Sequence, residues 1–447
     1  MNIPNKDFIT ALFNVHPDTI ENYSCYQVGN TFHYHITLHI KKHECKYCGG
    51  PCNPHGKKER IIHHPNLHDF DGVIHYHARR YICKHCSKTF FEQNHFTFEG
   101  FNNSFAVINR VIRYLADLDL AFKRIAELTE ISPTSVQLYL DSYVSILKPT
   151  LPKCLGIDEL HSKKMSASNS AYLCVLIDNA NRYPIDILNS RSKRKLERYF
   201  QMYSSKEKSK VKFVTIDMWL AYYDIAKKHF PKAKIAVDPF HVVKGVCDAF
   251  SRMRLNIMNQ TPYGSDAYYL LKNWHKLLEI KDINLDNEPQ HNQHFKRKVN
   301  KRQLFNMLLE VSDRLKITYE LKSNYQFFND TATIENCEVW LDHLIKEFQE
   351  SGISELNECT NTLINWHDQI INSFERPYHN RKQSNALAEN INGKIRSYLA
   401  LIYGAVNFQR LRKRVLLALN KKVFYSISDR LESDKQEGRK RGPYNKK

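Results

Sequence analysis

The stretch from Val211 to Lys244, VKFVTIDMWLAYYDIAKKHFPKAKIAVDPFHVVK, leaves few folds open. Val211 to Ile216 is an apolar, β-branched run of strand length, too short for a helix. It stops at Asp217. Trp219, Tyr222, Ala226 and Phe230 then recur at helical spacing and give one apolar face, until Pro231 ends the run. Lys234 to Val237 is a second short strand, stopping at Asp238, after which Val242, Val246, Phe250, Met253 and Ile257 open another helical series. Two strands that each end in aspartate, joined by a helix, predict a parallel βαβ unit with both strand ends on one sheet edge, where ligand sites tend to lie. Taken singly, either aspartate reads as an ordinary helix N-cap. Side by side they suit a divalent cation.

Upstream, Pro149 to Pro152 marks a boundary. Leu155-Gly-Ile-Asp-Glu159 reads as a strand carrying Asp158, Ala171 to Asp178 as a buried strand, Asn179 to Arg182 as a turn, Tyr183 to Leu188 as a third strand and Lys193 to Phe200 as a helix. The order β-β-β-α-β-α-β-α predicts an α/β, RNase-H-like core. In that topology the first and fourth strands are neighbours, so Asp158 meets Asp217. A two-metal site needs a third acid. Beyond residue 258 the segments 270–278, 304–321 and 339–348 are all helix-periodic and carry no catalytic pattern, which predicts an inserted all-α domain. In Ser384 to Ile395, Leu387, Ile391 and Ile395 share one helix face, while Glu389 lies on another beside Asn385 and Asn392. Glu389 is the expected third ligand, although in isolation it would read as a surface glutamate. Lys394 and Arg396 stand close enough to touch a DNA backbone.

Lys and Arg total 66 against 47 Asp and Glu, a net charge of +19, which favours a polyanionic partner. No apolar run approaches the length of a membrane span, and the first residues lack the pattern of a signal peptide. The eleven cysteines are odd in number, and Cys154, Cys174 and Cys247 sit alone in apolar segments, as reduced cytosolic thiols do. A cytoplasmic nucleic-acid protein is expected, and no membrane partner.

Phe32 to Ile40 alternates as a strand, without assignable chemistry. Cys45-Lys-Tyr-Cys48 and Cys83-Lys-His-Cys86 are two C-x-x-C turns, each aiming two thiolates at one point, and together they predict a tetrahedral Zn²⁺ site in a zinc ribbon. His43, Cys52 and His85 are nearby satellites. Metal binding is then part of the ribbon's folding. Arg79, Arg80, Lys84 and Lys88 make it basic, which suits phosphate contact as well as a solvated face. Phe105, Ile108, Val111 and Ile112 predict an amphipathic helix, and Leu120 to Leu140 resembles a helix-turn-helix. Phe122, Ile125 and Ala126 pack the first helix, Ile131 fills the turn, Ser132 is the N-cap, Pro133 the first helical residue, and Val136, Tyr139 and Leu140 face inward. Thr134, Ser135 and Gln137 would face a DNA major groove. Glu130 occupies the usual glycine position of the turn and Thr129 a position where an apolar residue is commoner, so a plain helical hairpin is the alternative.

Taken together, the Cys pairs, the helix-turn-helix, G-I-D-E, T-I-D-M, D-P-F-H-V and S-N-x-x-x-E-x-x-N-x-K-I resemble the ISL-three family of bacterial insertion-sequence transposases, from about residue 40 to 420. The resemblance implies a DDE recombinase whose catalytic acids fall on Asp158, Asp217 and Glu389, with Asp238, His241 and Asn385 near the site. Ala386 and Asn390 stand where the family more often has glycine. Also implied is phosphoryl transfer with two Mg²⁺ (or Mn²⁺) ions, Asp158 bridging both and Asp217 and Glu389 completing one each. The implied substrates are double-stranded DNA, as terminal inverted repeats and target, and the implied assembly is a homodimer, nucleoid-associated when DNA-bound. The expected domains are an N-terminal segment (1–40), the zinc ribbon (41–100), the helix-turn-helix domain (101–150), the first part of the core (151–258), the all-α insertion (259–375), the completing helix (376–420) and a basic tail (421–447). A non-catalytic DNA-binding regulator would have no need of all three acids. A structure-specific nuclease would have no use for end-recognition modules, and a zinc hydrolase would need an open position that four cysteines do not leave.

Overall fold

The computed structural model describes residues 10, 12–13, 15–65, 70–98, 101–168, 170–378, 380–403, 406–420 and 422–425. The basic tail from residue 426 onward lies outside the described residues. The chain divides into two compact units: residues 1–147 with 397–403 and 409–447, and residues 148–396 with 404–408.

In the first unit, β1 (Ile20–Val28), β2 (Thr31–Leu38), β3 (Cys52–Pro65) and β4 (Asp71–Cys83) form a sheet in the order β1-β2-β4-β3, and β5 (Thr89–Phe91) pairs with β4. Alternation sets the layers. Tyr34, Ile36 and Leu38 of β2 and Ile74, Tyr76 and Ala78 of β4 turn inward onto Phe13, Ile62 and Phe96. Because β2 runs parallel to β4, the strands before residue 40 and the strands carrying the Cys pairs belong to one sheet. Arg79 is not available for phosphate: it is buried, bonded to the Leu38 carbonyl and Glu21, with Glu92 3.8 Å away.

Three helices follow, α1 (Phe105–Leu115), α2 (Phe122–Thr129) and α3 (Pro133–Tyr143), around Val107, Ile108, Val111, Ile125, Val136 and Leu140. The Ser104 hydroxyl caps α1 and the Ser132 hydroxyl caps α3. Glu130 ends α2 with φ +53°, so a side-chain-bearing residue here takes the left-handed conformation that glycine adopts most cheaply. Residues 376–420 do not all complete the sheet domain. The helix Phe408–Leu419 packs from Gln409 onward with α1–α3, and its buried Arg414 donates to the Asp117 and Leu120 carbonyls at 2.7 Å each.

In the second unit, β6 (Cys154–His161), β7 (Tyr172–Asp178), β8 (Tyr183–Leu188), β9 (Phe213–Ile216) and β10 (Lys234–Val237) form, among the described residues, a five-stranded sheet in the order β10-β9-β6-β7-β8. β9 is parallel to both β10 and β6, while β6, β7 and β8 are antiparallel. Leu173 to Ile177 are all buried, as expected of a central strand covered on both faces. The helices α4 (Lys193–Gln201), α5 (Leu220–His229) and α6 (Pro239–Gln260) alternate with the later strands.

The region 259–375 departs from the expected all-α insertion in two ways. It contains an antiparallel hairpin, Gln290–Asn292 with Arg297–Val299, whose polar three-residue strands give no hydrophobic alternation to read. Its helices α7 (Asp266–Asn273) and α8 (Lys301–Leu309) share a small core of Leu270, Leu271, Leu278, Leu304 and Leu315 with Phe250. By contrast α9 (Asp313–Thr331), α10 (Cys337–Glu350), α11 (Asn357–Asn365) and α12 (His367–Ser373) join the core of the sheet itself through Tyr325, Phe328, Leu341, Leu363 and Ile370. α12 covers the edge strand β10, where Asn372 Nδ2 donates to the Ile235 carbonyl at 2.9 Å. Periodicity predicts an apolar face but not which surface it covers. The last helix of this unit is α13 (Ala386–Leu401), whose final residues, from Ser397, count with the first unit.

Candidate active site and metal centre

Register builds the site. β9 pairs with β6 as Phe213 with Cys154 and Thr215 with Gly156, and with β10 as Phe213 with Lys234 and Ile216 with Val237. Carried just past the last pairs, the same offsets set Asp158, Asp217 and Asp238 at one level on three adjacent parallel strands. Gly156 packs tightly beneath them: a Cβ there would lie 3.0 Å from both side-chain polar atoms of Asn179. Asp238 does cap its helix, accepting from Phe240 N at 3.4 Å. Asp217 caps none: the N-cap of α5 is Trp219, without a side-chain hydrogen bond.

Asp158 and Asp238 are buried, at 5% and 1% exposure. Burial, with the neighbouring Asp217 second, pushes the Asp158 carboxyl up to about 7. Burial also raises Asp238 to about 6, opposed by the adjacent His241. His241 Nε2 lies 3.0 Å from Asp217 Oδ1 and 3.9 Å from Asp238 Oδ2, and the hydrogen bond to Asp217 raises the imidazole above its usual range. Helix α13 closes the site from above the strands. Asn385 Nδ2 donates to the Ile157 carbonyl at 3.2 Å, and Asn392 Nδ2 donates to Asp158 Oδ2 at 2.7 Å and to the Glu159 carbonyl at 3.2 Å. Glu389 is exposed on the first turn of α13, on the flank that carries both asparagines.

The structure therefore brings Asp217, Asp238 and His241 into one group whose ligand atoms lie within 4.8 Å, with Asp158 coupled to it electrostatically; Glu389 is outside that group. Asp238 Oδ2, Asn385 Oδ1 and Asn392 Oδ1 are buried acceptors without a hydrogen-bond donor. Leaving such oxygens unsatisfied is costly, and an oxygen-rich, acid-bearing pocket is the donor set that a hard divalent cation prefers. The residues fit Mg²⁺ or Mn²⁺.

Sequence reasoning missed the ion pair that silences the next acid. Glu159, adjacent to Asp158 in the same motif, is gripped by Arg191 at 2.6 and 2.5 Å, and the guanidinium stacks 3.8 Å from the Tyr172 ring centroid. Alongside α13 a cavity of about 320 Å³ is lined by Arg182, Arg381, Lys382, Asn179, Ser384 and Asn390. Lys394 and Arg396 are exposed on α13.

In the first unit, Cys45, Cys48, Cys83 and Cys86 converge, with Sγ–Sγ distances of 3.6 Å (Cys45–Cys86) and 3.5 Å (Cys48–Cys83). A tetrahedral zinc tetrathiolate with bonds of about 2.3 Å needs sulfur separations of about 3.8 Å, so the four residues fit Zn²⁺. Each turn closes with a left-handed residue after its second cysteine, Gly49 at φ +70° and Ser87 at φ +56°. The Cys86 and His85 N–H groups point at Cys83 Sγ and hold its thiol below the ordinary range. The satellites His43, Cys52 and His85 are not part of this group: His43 rests on Tyr81 and Cys52 bonds the Gly50 carbonyl. On α3, Thr134 is exposed and the Ser135 hydroxyl lies 2.9 Å from that of Ser132, but Gln137 is engaged by Arg410, which donates to its Oε1 at 2.5 Å.

Among the described residues no helix is long and apolar enough to cross a membrane. Compared with known proteins, the family model for ISL3 (ISL-three) elements, described as "Transposase", matches residues 155–415. The curated "Transposase for insertion sequence element IS1001" of Bordetella parapertussis is 23% identical over 388 residues, spanning 84% of this chain and 88% of that protein. The family match includes all three aligned aspartates and the whole of α13, and on that evidence the chain belongs to the ISL-three family of transposases.

Proposed function

We propose that the chain is a DDE transposase that binds the terminal inverted repeats of an insertion sequence and cuts and rejoins DNA there by metal-dependent phosphoryl transfer, on an RNase-H-like core. The observation that carries this reading is the level placement of Asp158 and Asp217 on adjacent parallel strands, with the Glu389-bearing helix hydrogen-bonded to Asp158. Asp158, Asp217 and Glu389 would hold the ions. Divalent cations in such a site supply an activated oxygen nucleophile and a stabilised leaving oxygen.

The chain's own residues prepare the site. The Asn392 amide fixes Asp158 Oδ2, and the Glu159 backbone N–H is a second donor to the same carboxyl. His241 Nε2 stands 3.0 Å from Asp217 Oδ1, where a protonated imidazole would pair with that carboxylate. Arg182 and Arg381 offer a strand's phosphates a basic wall, with Lys394 and Arg396 on the helix beyond. The Cys₄ cluster, read as a Zn²⁺ ribbon, and α2–α3, read as a helix-turn-helix with Thr134 and Ser135 toward the major groove, would recognise the element ends. Gln137 would take part only if Arg410 released it. Cutting two ends together suits a homodimer, and a cytoplasmic, nucleoid-bound location follows from the substrate.

The test is a cleavage and strand-transfer assay on a labelled duplex carrying the element's own ends, with Mg²⁺ or Mn²⁺, alongside Asp158→Asn. Metal-dependent nicking at the element end, lost in the variant while DNA binding persists, is the expected result. Tight end-binding with no cleavage by either protein would instead identify a DNA-binding regulator.

A further inference from the structure

The outer face of the first unit's sheet carries an imidazole cluster separate from the Cys₄ group. The alternation that buries Tyr34, Ile36, Ile74 and Tyr76 turns His33 and His35 of β2 and His75 and His77 of β4 to the opposite face. The register pairs His35 with His75, and Glu59 of β3 with His77. His75 Nδ1 lies 2.8 Å from Glu59 Oε1, His33 Nδ1 lies 2.9 Å from His75 Nε2, and His35 Nδ1 lies 3.3 Å from His77 Nε2. The His35 and His75 rings stack at 4.3 Å, 8° from parallel. Ligand atoms of His35, Glu59 and His75 all lie within 4.8 Å of one another. The histidines are half-buried and Glu59 is exposed, so the group is open to solvent.

A solvated sheet face needs polar side chains, but it does not need four imidazoles and a carboxylate converging across three strands. We propose that this face is a second metal centre of the first unit, in which His35, His75 and Glu59 bind a divalent first-row transition ion. Two imidazoles and a carboxylate form a borderline donor set suited to Zn²⁺, Ni²⁺ or Cu²⁺, with a fourth position left for His33, His77 or water. Ligand separations in such a complex are about 3.4 Å, so small side-chain rotations convert the present hydrogen-bonded pairs into a ligand set.

The experiment uses full-length protein stripped of metal and titrated with Co²⁺. Filling the four cysteines gives intense thiolate-to-cobalt charge-transfer absorption, whereas a nitrogen-oxygen site adds only weak ligand-field bands. With excess Mg²⁺ present to occupy the acidic site of the second unit, wild type is expected to bind two equivalents of Co²⁺, the second without charge-transfer intensity. His35→Gln/His75→Gln is expected to bind one, with the thiolate band unchanged as evidence that the unit still folds. A wild type that binds a single equivalent, or a double variant that still binds two, overturns the proposal. An independent measurement needs no variant: Cu²⁺ added to protein whose cysteines are already filled with Zn²⁺ should show superhyperfine splitting from at least two nitrogens in its electron paramagnetic resonance spectrum, where the acidic group with its one imidazole, His241, would give one, and a spectrum with coupling to fewer than two nitrogens refutes the site.

Discussion

Asn392 donates to Asp158 across 2.7 Å, tying the helix that carries Glu389 to the strand at the centre of the sheet. The bond is charge-assisted whenever Asp158 is ionised, and it is made inside a buried pocket. Asn392→Ala should therefore leave a half-satisfied carboxylate, push its titration higher still and weaken cation binding. Cleavage is expected to fall about 10- to 100-fold, as for the loss of a residue that orients a metal ligand, with the Mn²⁺ concentration for half-maximal rate shifted upward. An unchanged Mn²⁺ midpoint would show that the amide only braces the fold.

The identity of the third ligand separates two variants. Glu389 is exposed, so Glu389→Gln should change stability by no more than about 0.5 kcal/mol and yet abolish cleavage. Asp238→Asn keeps a capping side chain for the Phe240 N–H and removes a carboxyl whose ionisation burial opposes; the melting temperature should hold or rise, with cleavage reduced less than in Asp217→Asn. The reverse pattern, an active Glu389→Gln beside a dead Asp238→Asn, would move the third ligand to Asp238.

A buried histidine gives the first unit an acid limit. His64 is 4% exposed, hydrogen-bonded to the Ser104 hydroxyl at 3.0 Å, and burial, with the nearby positive groups His63 and Arg110, lowers it to about 4. The unfolded chain, titrating near 6.5, takes up its proton first. The stabilisation is thus fully present above about pH 6.5 and is lost as pH falls toward 4, with an upper bound of roughly 3 kcal/mol. Urea midpoints at pH 7 and 4.5 should show the loss in wild type and a smaller one in His64→Gln. Equal losses in both proteins would assign the acid sensitivity elsewhere.

Gly156→Ala tests the floor of the site. Its new Cβ would sit 3.0 Å from the Asn179 amide, whose Nδ2 reaches Thr215 at 3.5 Å. Overpacking at a buried position costs about 1–3 kcal/mol. Calorimetry should show that destabilisation, partly relieved in Gly156→Ala/Asn179→Ser. A melting temperature equal to wild type would mean that the amide yields freely.

Much of this was legible from residue order. Strand-length apolar runs ending in Asp217 and Asp238, the Ser132-Pro133 helix start and the paired C-x-x-C turns are short-range signals, and short-range stereochemistry decides them. That Asp217 and Asp238 share one sheet edge was legible too, but the residue-by-residue register that puts Asp238 level with Asp158 was not, because it depends on strand offsets set by helix lengths and packing. Nor was the inward turn of Arg79 or the burial of Arg414, since basic residues read as solvent-facing until their carbonyl and carboxylate partners are in place. The histidine face was visible as alternation, but which rings meet depends on the parallel pairing of β2 with β4, and the strand pattern alone does not specify that partner.

The Asn392 amide lies 234 residues after the carboxylate it holds. At a bacterial-scale elongation rate of about 5–20 residues per second, the ribosome finishes Asp158 some 10–50 seconds before it reaches that amide. Through that interval the growing polypeptide already has its cysteine pairs and α1–α3, but it lacks both Asn392 and Glu389. On the proposed reading such a chain cannot yet cut, and a product terminated early would lack not only both of these residues but also the helix Phe408–Leu419 that packs with α1–α3.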